Sequence, residues 1–207
     1  MPRPLIYFIT KGGMTGANYA DTKIKTLETI KIAVENKISL VQIREKQLSA
    51  RLLFELVQSA ALITENSRTK LLVNDRADIA LAACADGVHL TEKSLRAEIV
   101  RAVFPKNFII GVSAHSLESV LEAKKQKADF AVYSPVFETP HKGVPLGLEK
   151  LAEVCEKAKP FPVIGLGGID EANYQSVLKI AEGFAAIRFL NDTESLRILN
   201  RELHFKV

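Results

Sequence analysis

At 207 residues, 47% hydrophobic and 25% charged, the chain has the make-up of a globular protein that buries a core, which excludes a disordered or low-complexity polypeptide. Its 28 Lys and Arg against 24 Asp and Glu leave a net charge of +4 with no long run of one sign, so nucleic-acid binding is not expected and small anions are the natural partners. Met1-Pro2-Arg3-Pro4 leads into an apolar run too short for a signal-peptide core or a membrane span, so a cytoplasmic protein with no membrane partner is expected.

Short apolar or β-branched runs then recur between amphipathic stretches. They are Leu5 to Ile9, Ser39 to Ile43, Leu71 to Val73, Gly87 to Leu90, Phe108 to Val112, Phe130 to Tyr133, Pro162 to Gly165 and Phe184 to Ile187. Between the first two, Ile24, Leu27, Ile30 and Ala33 repeat at helical spacing, and Leu53, Leu56, Val57, Ala60 and Ala61 do so after the second. Later helices are led by Ser116-Leu117-Glu118-Ser119, by Leu146-Gly147-Leu148-Glu149 and by Asp170-Glu171-Ala172-Asn173, the first and third opening on good N-cap residues. Strands read as continuous apolar runs and alternating with helices fit a parallel sheet covered on both faces. Eight of them favour a closed (β/α)8 TIM barrel over an open doubly wound sheet. No linker or compositional break divides residues 1–207, so one barrel domain is expected. Cys84 and Cys155 lie far apart, without metal-ligand spacing, and are expected to be buried, reduced and structural.

A barrel carries its chemistry where strands end and βα loops begin. Here Gln42-Ile43-Arg44-Glu45-Lys46 follows the second run, Asn74-Asp75-Arg76 the third, Ser113-Ala114-His115-Ser116 the fifth, Thr139-Pro140-His141-Lys142 the sixth and Gly165-Leu166-Gly167-Gly168 the seventh. Strand alternation puts Gln42, Arg44 and Lys46 on one face and Glu45 on the other. The two cations could grip a diphosphate or carboxylate. Asn74 and Asp75 either hold Mg²⁺ or orient a substrate amine, or else cap a helix starting at Arg76. His115, whose parity Ser113 shares, suits proton transfer because imidazole titrates near neutrality. His89 reads as a satisfied core residue and His141 as an exposed one. Gly167 and Gly168, ahead of a helix near Asp170, leave backbone N–H groups open to an oxyanion, and Arg188 after the eighth strand would face the same anion. Lys142 sits in a Pro- and Gly-rich loop from Pro135 to Gly147, together with Thr139. This loop is long enough to act as a cationic lid that stabilises departing charge.

The strings Val41-Gln42-Ile43-Arg44-Glu45-Lys46, Val73-Asn74-Asp75-Arg76-Ala77-Asp78, Gly87-Val88-His89-Leu90, Gly111-Val112-Ser113-Ala114-His115-Ser116 and Gly165-Leu166-Gly167-Gly168-Ile169 resemble the thiamine phosphate synthase/TenI family in order and spacing. The resemblance implies a TIM barrel, a phosphate held by the last loops and a role in thiamine biosynthesis on a small phosphorylated thiazole. It leaves open whether further copies of the chain assemble with it.

Two branches of that family differ in what they need. Its synthases join a pyrimidine methyl diphosphate to a thiazole phosphate, with Mg²⁺ held by the aspartate matched here by Asp75 and by a second aspartate in a Gly-Gln-Glu-Asp string. This chain reads Thr91-Glu92-Lys93-Ser94 there, so Ser94 replaces the second aspartate. Pro135-Val136-Phe137-Glu138-Thr139-Pro140-His141-Lys142 also departs from the synthase Pro-Thr-x-Thr-Lys pattern toward TenI. TenI-like tautomerases aromatise a thiazole phosphate by moving a proton, with a histidine matched by His115, and require no metal. Loss of a magnesium carboxylate harms diphosphate departure more than proton transfer to carbon, which favours the tautomerase. The synthase is the alternative, and a non-catalytic phosphate-binding regulator a third reading.

Overall fold

The computed structural model describes residues 4–140 and 142–204. Among these, eight parallel strands close into a barrel in sequence order: β1 (Leu5–Ile9), β2 (Leu40–Ile43), β3 (Lys70–Asn74), β4 (Gly87–Leu90), β5 (Ile109–Ala114), β6 (Phe130–Tyr133), β7 (Val163–Leu166) and β8 (Gly183–Ala186). β8 returns to β1 with Leu5 opposite Gly183 and Phe8 opposite Ala186, so the sheet has no open edge. The helices are α1 (Tyr19–Glu35), α2 (Ala50–Thr64), α3 (Ala77–Ala82), α4 (Ala97–Val103), α5 (Leu117–Lys125), α6 (Gly147–Ala158), α7 (Tyr174–Leu178) and α8 (Thr193–His204).

The period-2 alternation of each strand divides the apolar residues into two cores. Leu5, Tyr7, Ile9, Leu40, Leu72, Phe130, Val132, Ile164 and Ala185 fill the barrel interior. Ile6, Phe8, Val41, Ile43, Leu71 and Val73 point outward, against Ile30, Leu53, Leu56 and the other buried helix residues. The interior is packed tightly enough that Gly111 has a steric reason: a Cβ there would lie 2.4 Å from the Phe130 ring. Tyr7 and Phe130 meet edge to face at 5.7 Å between centroids, sealing the barrel below its mouth.

Two local expectations are corrected and one holds. The helix after β7 begins at Tyr174 rather than near Asp170, because the Asp170 carboxylate accepts from Ala172 N and Asn173 Oδ1 accepts from Asp170 N, closing a turn first. Ser116 does cap α5, accepting from Ser119 N at 3.2 Å. Cys84 is exposed and Cys155 half-buried, since Cys84 follows α3 in a left-handed turn at the surface (φ 58°) instead of facing a core.

Candidate functional site

The last inward-facing positions of the strands, and the loops that follow them, enclose a cavity of about 580 Å³ at the carboxyl end of the barrel. Gln42, Arg44, Lys46, Asn74, Ser113, His115, Thr139, Lys142, Gly167, Gly168 and Arg188 all line it, so the fold brings together residues spread over most of the chain. Asp75 does not line it, and His141 lies outside the described residues. His89, at the end of β4, and Pro135, at the start of the expected lid, line it as well, and so do Thr91, Glu92, Lys93 and Ser134, which were not expected to bind substrate.

On the β2 side, the strand stops at Ile43 and the next residues are set by contacts with the loop after β1. Arg44 N donates to Thr10 Oγ1 at 2.9 Å. Buried Glu45 accepts from Gly12 N at 3.1 Å and Met14 N at 2.9 Å, so the carboxylate of opposite parity braces that loop while Arg44 and Lys46 face the cavity. Gln42 Nε2 donates to the Tyr7 hydroxyl at 2.7 Å. Tyr7 belongs to an unbroken apolar strand, and only the β1–β2 pairing reveals that it orients Gln42.

β3 and β4 carry the buried polar floor. Asn74, opposite His89 in the ladder, is 8% exposed, and its Oδ1 meets no partner among the described residues. His89 Nε2 lies 2.9 Å from Ser113 Oγ while Nδ1 has no partner among the described residues, so this histidine is not the satisfied core residue expected from its neighbours. Burial pushes its pKa down to about 4, with Asp75 raising it and Arg44 lowering it further, which leaves a neutral ring at pH 7.

Asp75 does not cap α3, and its carboxylate is held by its neighbours. Its backbone is left-handed (φ 59°), and α3 starts at Ala77 behind Arg76 with no side-chain cap. Oδ2 accepts from Asn74 Nδ2 at 2.8 Å, and Oδ1 accepts from Thr91 N and Thr91 Oγ1, both at 3.2 Å, and from Ser94 Oγ. Ser94 therefore occupies the carboxylate instead of extending it into a metal-ligand pair. No group of three His, Cys, Asp or Glu side chains with metal-binding proximity exists among the described residues.

Across the mouth, His115 Nδ1 lies 2.6 Å from Ser134 O. A carbonyl only accepts, so the neutral ring carries its proton on Nδ1 and presents the Nε2 lone pair, 4.0 Å from Glu92 Oε1. The β6 loop is closed at its base by Leu146 N to Pro135 O (2.8 Å) and Gly147 N to Val136 O (3.0 Å), and it carries Thr139 and exposed Lys142 over the cavity. Gly167 (φ 105°) and Gly168 (φ 64°) pack beneath it. Added Cβ atoms would come within 2.7 Å of Pro135 Cα and 2.5 Å of Glu138 O, respectively. Their N–H groups donate to no protein acceptor among the described residues. Because α7 starts later than expected, these open donors come from left-handed backbone, not from a helix N-terminus.

Fold and rim together are those of a (β/α)8-barrel enzyme whose chemistry sits at the carboxyl ends of the strands. A family profile described as thiamine monophosphate synthase matches residues 6–190, and the chain belongs to that family. It is 43% identical over 171 residues to a protein of Aquifex aeolicus provisionally named thiamine-phosphate synthase 2, covering 82% of this chain and 87% of that one. It is 38% identical over 168 residues to the thiamine-phosphate synthase of Syntrophomonas wolfei, covering 79% and 80%. Among solved structures it is similar to the thiamine phosphate pyrophosphorylase of Pyrococcus furiosus, with a TM-score of 0.80, 31% identity and coverage of 97% and 96%. The names carried by these relatives favour the synthase alternative over the tautomerase expected from Ser94.

Proposed function

We propose that this protein joins a pyrimidine methyl diphosphate to a thiazole phosphate, the thiamine-phosphate synthase reaction. The observation that carries the reading is that the cavity holds two separate anion-seeking groups, with β1 between the strands β8 and β2 that bear them. Arg44 and Lys46 follow β2, whereas Gly167, Gly168 and Arg188 follow β7 and β8. One phosphate-bearing substrate needs one such group, and joining a diphosphate to a monophosphate needs two.

In this reading the diphosphate lies against Arg44 and Lys46, with Lys142 closing over it, and the thiazole phosphate lies on the open amides of Gly167 and Gly168 beside Arg188. Thr139 and Ser113 complete the walls. Asn74 Oδ1, a buried acceptor without a partner among the described residues, suits a ring-bound N–H of the substrate, and Gln42, held by Tyr7, lines the same cavity. Mg²⁺ is the cation the family resemblance implies, on Asp75. The donor set does not fit it, because the Asp75 carboxylate is already taken by four hydrogen bonds and Ser94 offers no second charge.

The tautomerase remains a second reading on one observation: the Nε2 lone pair of His115 faces the cavity, where it could move a proton. Purified protein supplied with pyrimidine methyl diphosphate and thiazole phosphate, and separately with the unaromatised thiazole, distinguishes the two. Formation of thiamine phosphate supports the synthase. Aromatisation without coupling overturns it.

A further inference from the structure

Resting on the synthase reading, we propose that this protein neutralises the departing diphosphate with side-chain cations, Lys93 foremost, in place of a divalent metal held by carboxylates. The described residues lining the cavity bring Arg44, Lys46, Lys93, Lys142 and Arg188 against a single carboxylate, Glu92. That balance attracts polyanions and repels a bare divalent cation. Lys93 follows β4 on the short loop to α4, one residue from Ser94, and so brings a positive charge to the edge where the family resemblance expects a metal. Ser94 does complementary work. By donating to Asp75 alongside Thr91, it turns the remaining carboxylate into an internal acceptor that joins the β3 and β4 loops and so steadies the segment bearing Lys93.

The step balances without a metal. The bond between the pyrimidine methyl carbon and the diphosphate oxygen breaks, with its electron pair leaving on the diphosphate. The lone pair of the thiazole ring nitrogen forms the new carbon–nitrogen bond, and the positive charge resides on the ring. The protein's task is to meet the negative charge that grows on the leaving oxygen, which an ammonium can do as a point charge.

The test is titration of inorganic diphosphate into the full chain by calorimetry, in EDTA and in Mg²⁺, with Mn²⁺ binding to the free protein followed by electron paramagnetic resonance. Expected are diphosphate binding that EDTA leaves unchanged, no protein-held Mn²⁺, and about a tenfold weaker affinity in Lys93→Gln, with circular dichroism unaltered. Diphosphate binding that needs Mg²⁺, or an unchanged affinity in Lys93→Gln, overturns this inference and leaves the synthase reading standing. Failure to bind diphosphate under either condition overturns both.

Discussion

His115 Nδ1 donates to the backbone carbonyl of Ser134 across the β5–β6 boundary at 2.6 Å, which commits the ring's other nitrogen to the cavity. The bond fixes both the tautomer and the ring orientation, as expected of a group positioned for proton exchange. His115→Asn removes Nε2 while leaving space for a substitute contact to Ser134. The fold and the affinity for inorganic phosphate should persist. Any proton transfer at a thiazole carbon should slow by roughly 10²–10⁴-fold, the scale of general acid–base work, whereas carbon–nitrogen coupling, which moves no proton at the bond-forming step, should slow far less. Measuring both reactions in the variant checks this, and equal large losses in both would assign His115 to the coupling reaction.

His89 makes the protein acid-sensitive. Burial holds its pKa down at about 4 against an ordinary value of 6.5. As the pH falls below 6.5 the unfolded chain takes up a proton that the folded chain refuses until about pH 4. Stability therefore declines between those values and levels off below them, by up to about 3 kcal/mol from this residue. Urea unfolding of the parent chain and of His89→Gln across that range should give a flatter pH dependence for the variant. Equal slopes would mean that the ring is protonated in the folded state.

Gly168→Ala tests the proposed phosphate site and the packing beneath the β6 loop together. The residue sits at φ 64°, and its new Cβ would lie 2.5 Å from Glu138 O and 2.7 Å from Phe137 Cβ. The substitution should destabilise the fold by about 1–3 kcal/mol. It should also weaken inorganic phosphate binding, because relief of the clash moves the open amide. Thermal unfolding and phosphate calorimetry measure the two effects. A destabilised variant with undiminished phosphate affinity would move the anion away from this backbone.

Glu45→Ala should act at a distance. The buried carboxylate is the acceptor for Gly12 N and Met14 N, and Gly12 lies close enough to Arg44 that a Cβ there would be 3.3 Å from Arg44 Nη1. Two amides left without their acceptor should cost about 2–4 kcal/mol. Diphosphate affinity should fall as the loop against Arg44 loosens, while phosphate affinity on the β7–β8 side stays near its parent value. Comparing the two titrations in one variant separates a local effect from general unfolding.

Strand alternation was legible in the amino-acid sequence because its cause is local. Successive side chains of a strand must point to opposite faces, so Gln42 and Arg44 follow Leu40 toward the interior and Glu45 goes the other way whatever the rest of the chain does. The same logic made eight strands, and hence a barrel rim bearing Asn74, Ser113 and His115, readable before any contact was known. Tertiary structure alone decided what those residues meet. The Tyr7 hydroxyl reaches Gln42 across a strand pair separated by 35 positions, and Ser94 takes the Asp75 carboxylate across 19, pairings that no local period encodes. The start of α7 at Tyr174 was hidden for a related reason. Asp170 is as good at closing a turn on Ala172 as at capping a helix, and the packing of the glycine loop under the β6 loop accompanies the turn that was chosen. Side-chain type and spacing specified which groups would face the mouth of the barrel, whereas their free or occupied hydrogen-bonding capacity depended on neighbours brought there by closure of the sheet.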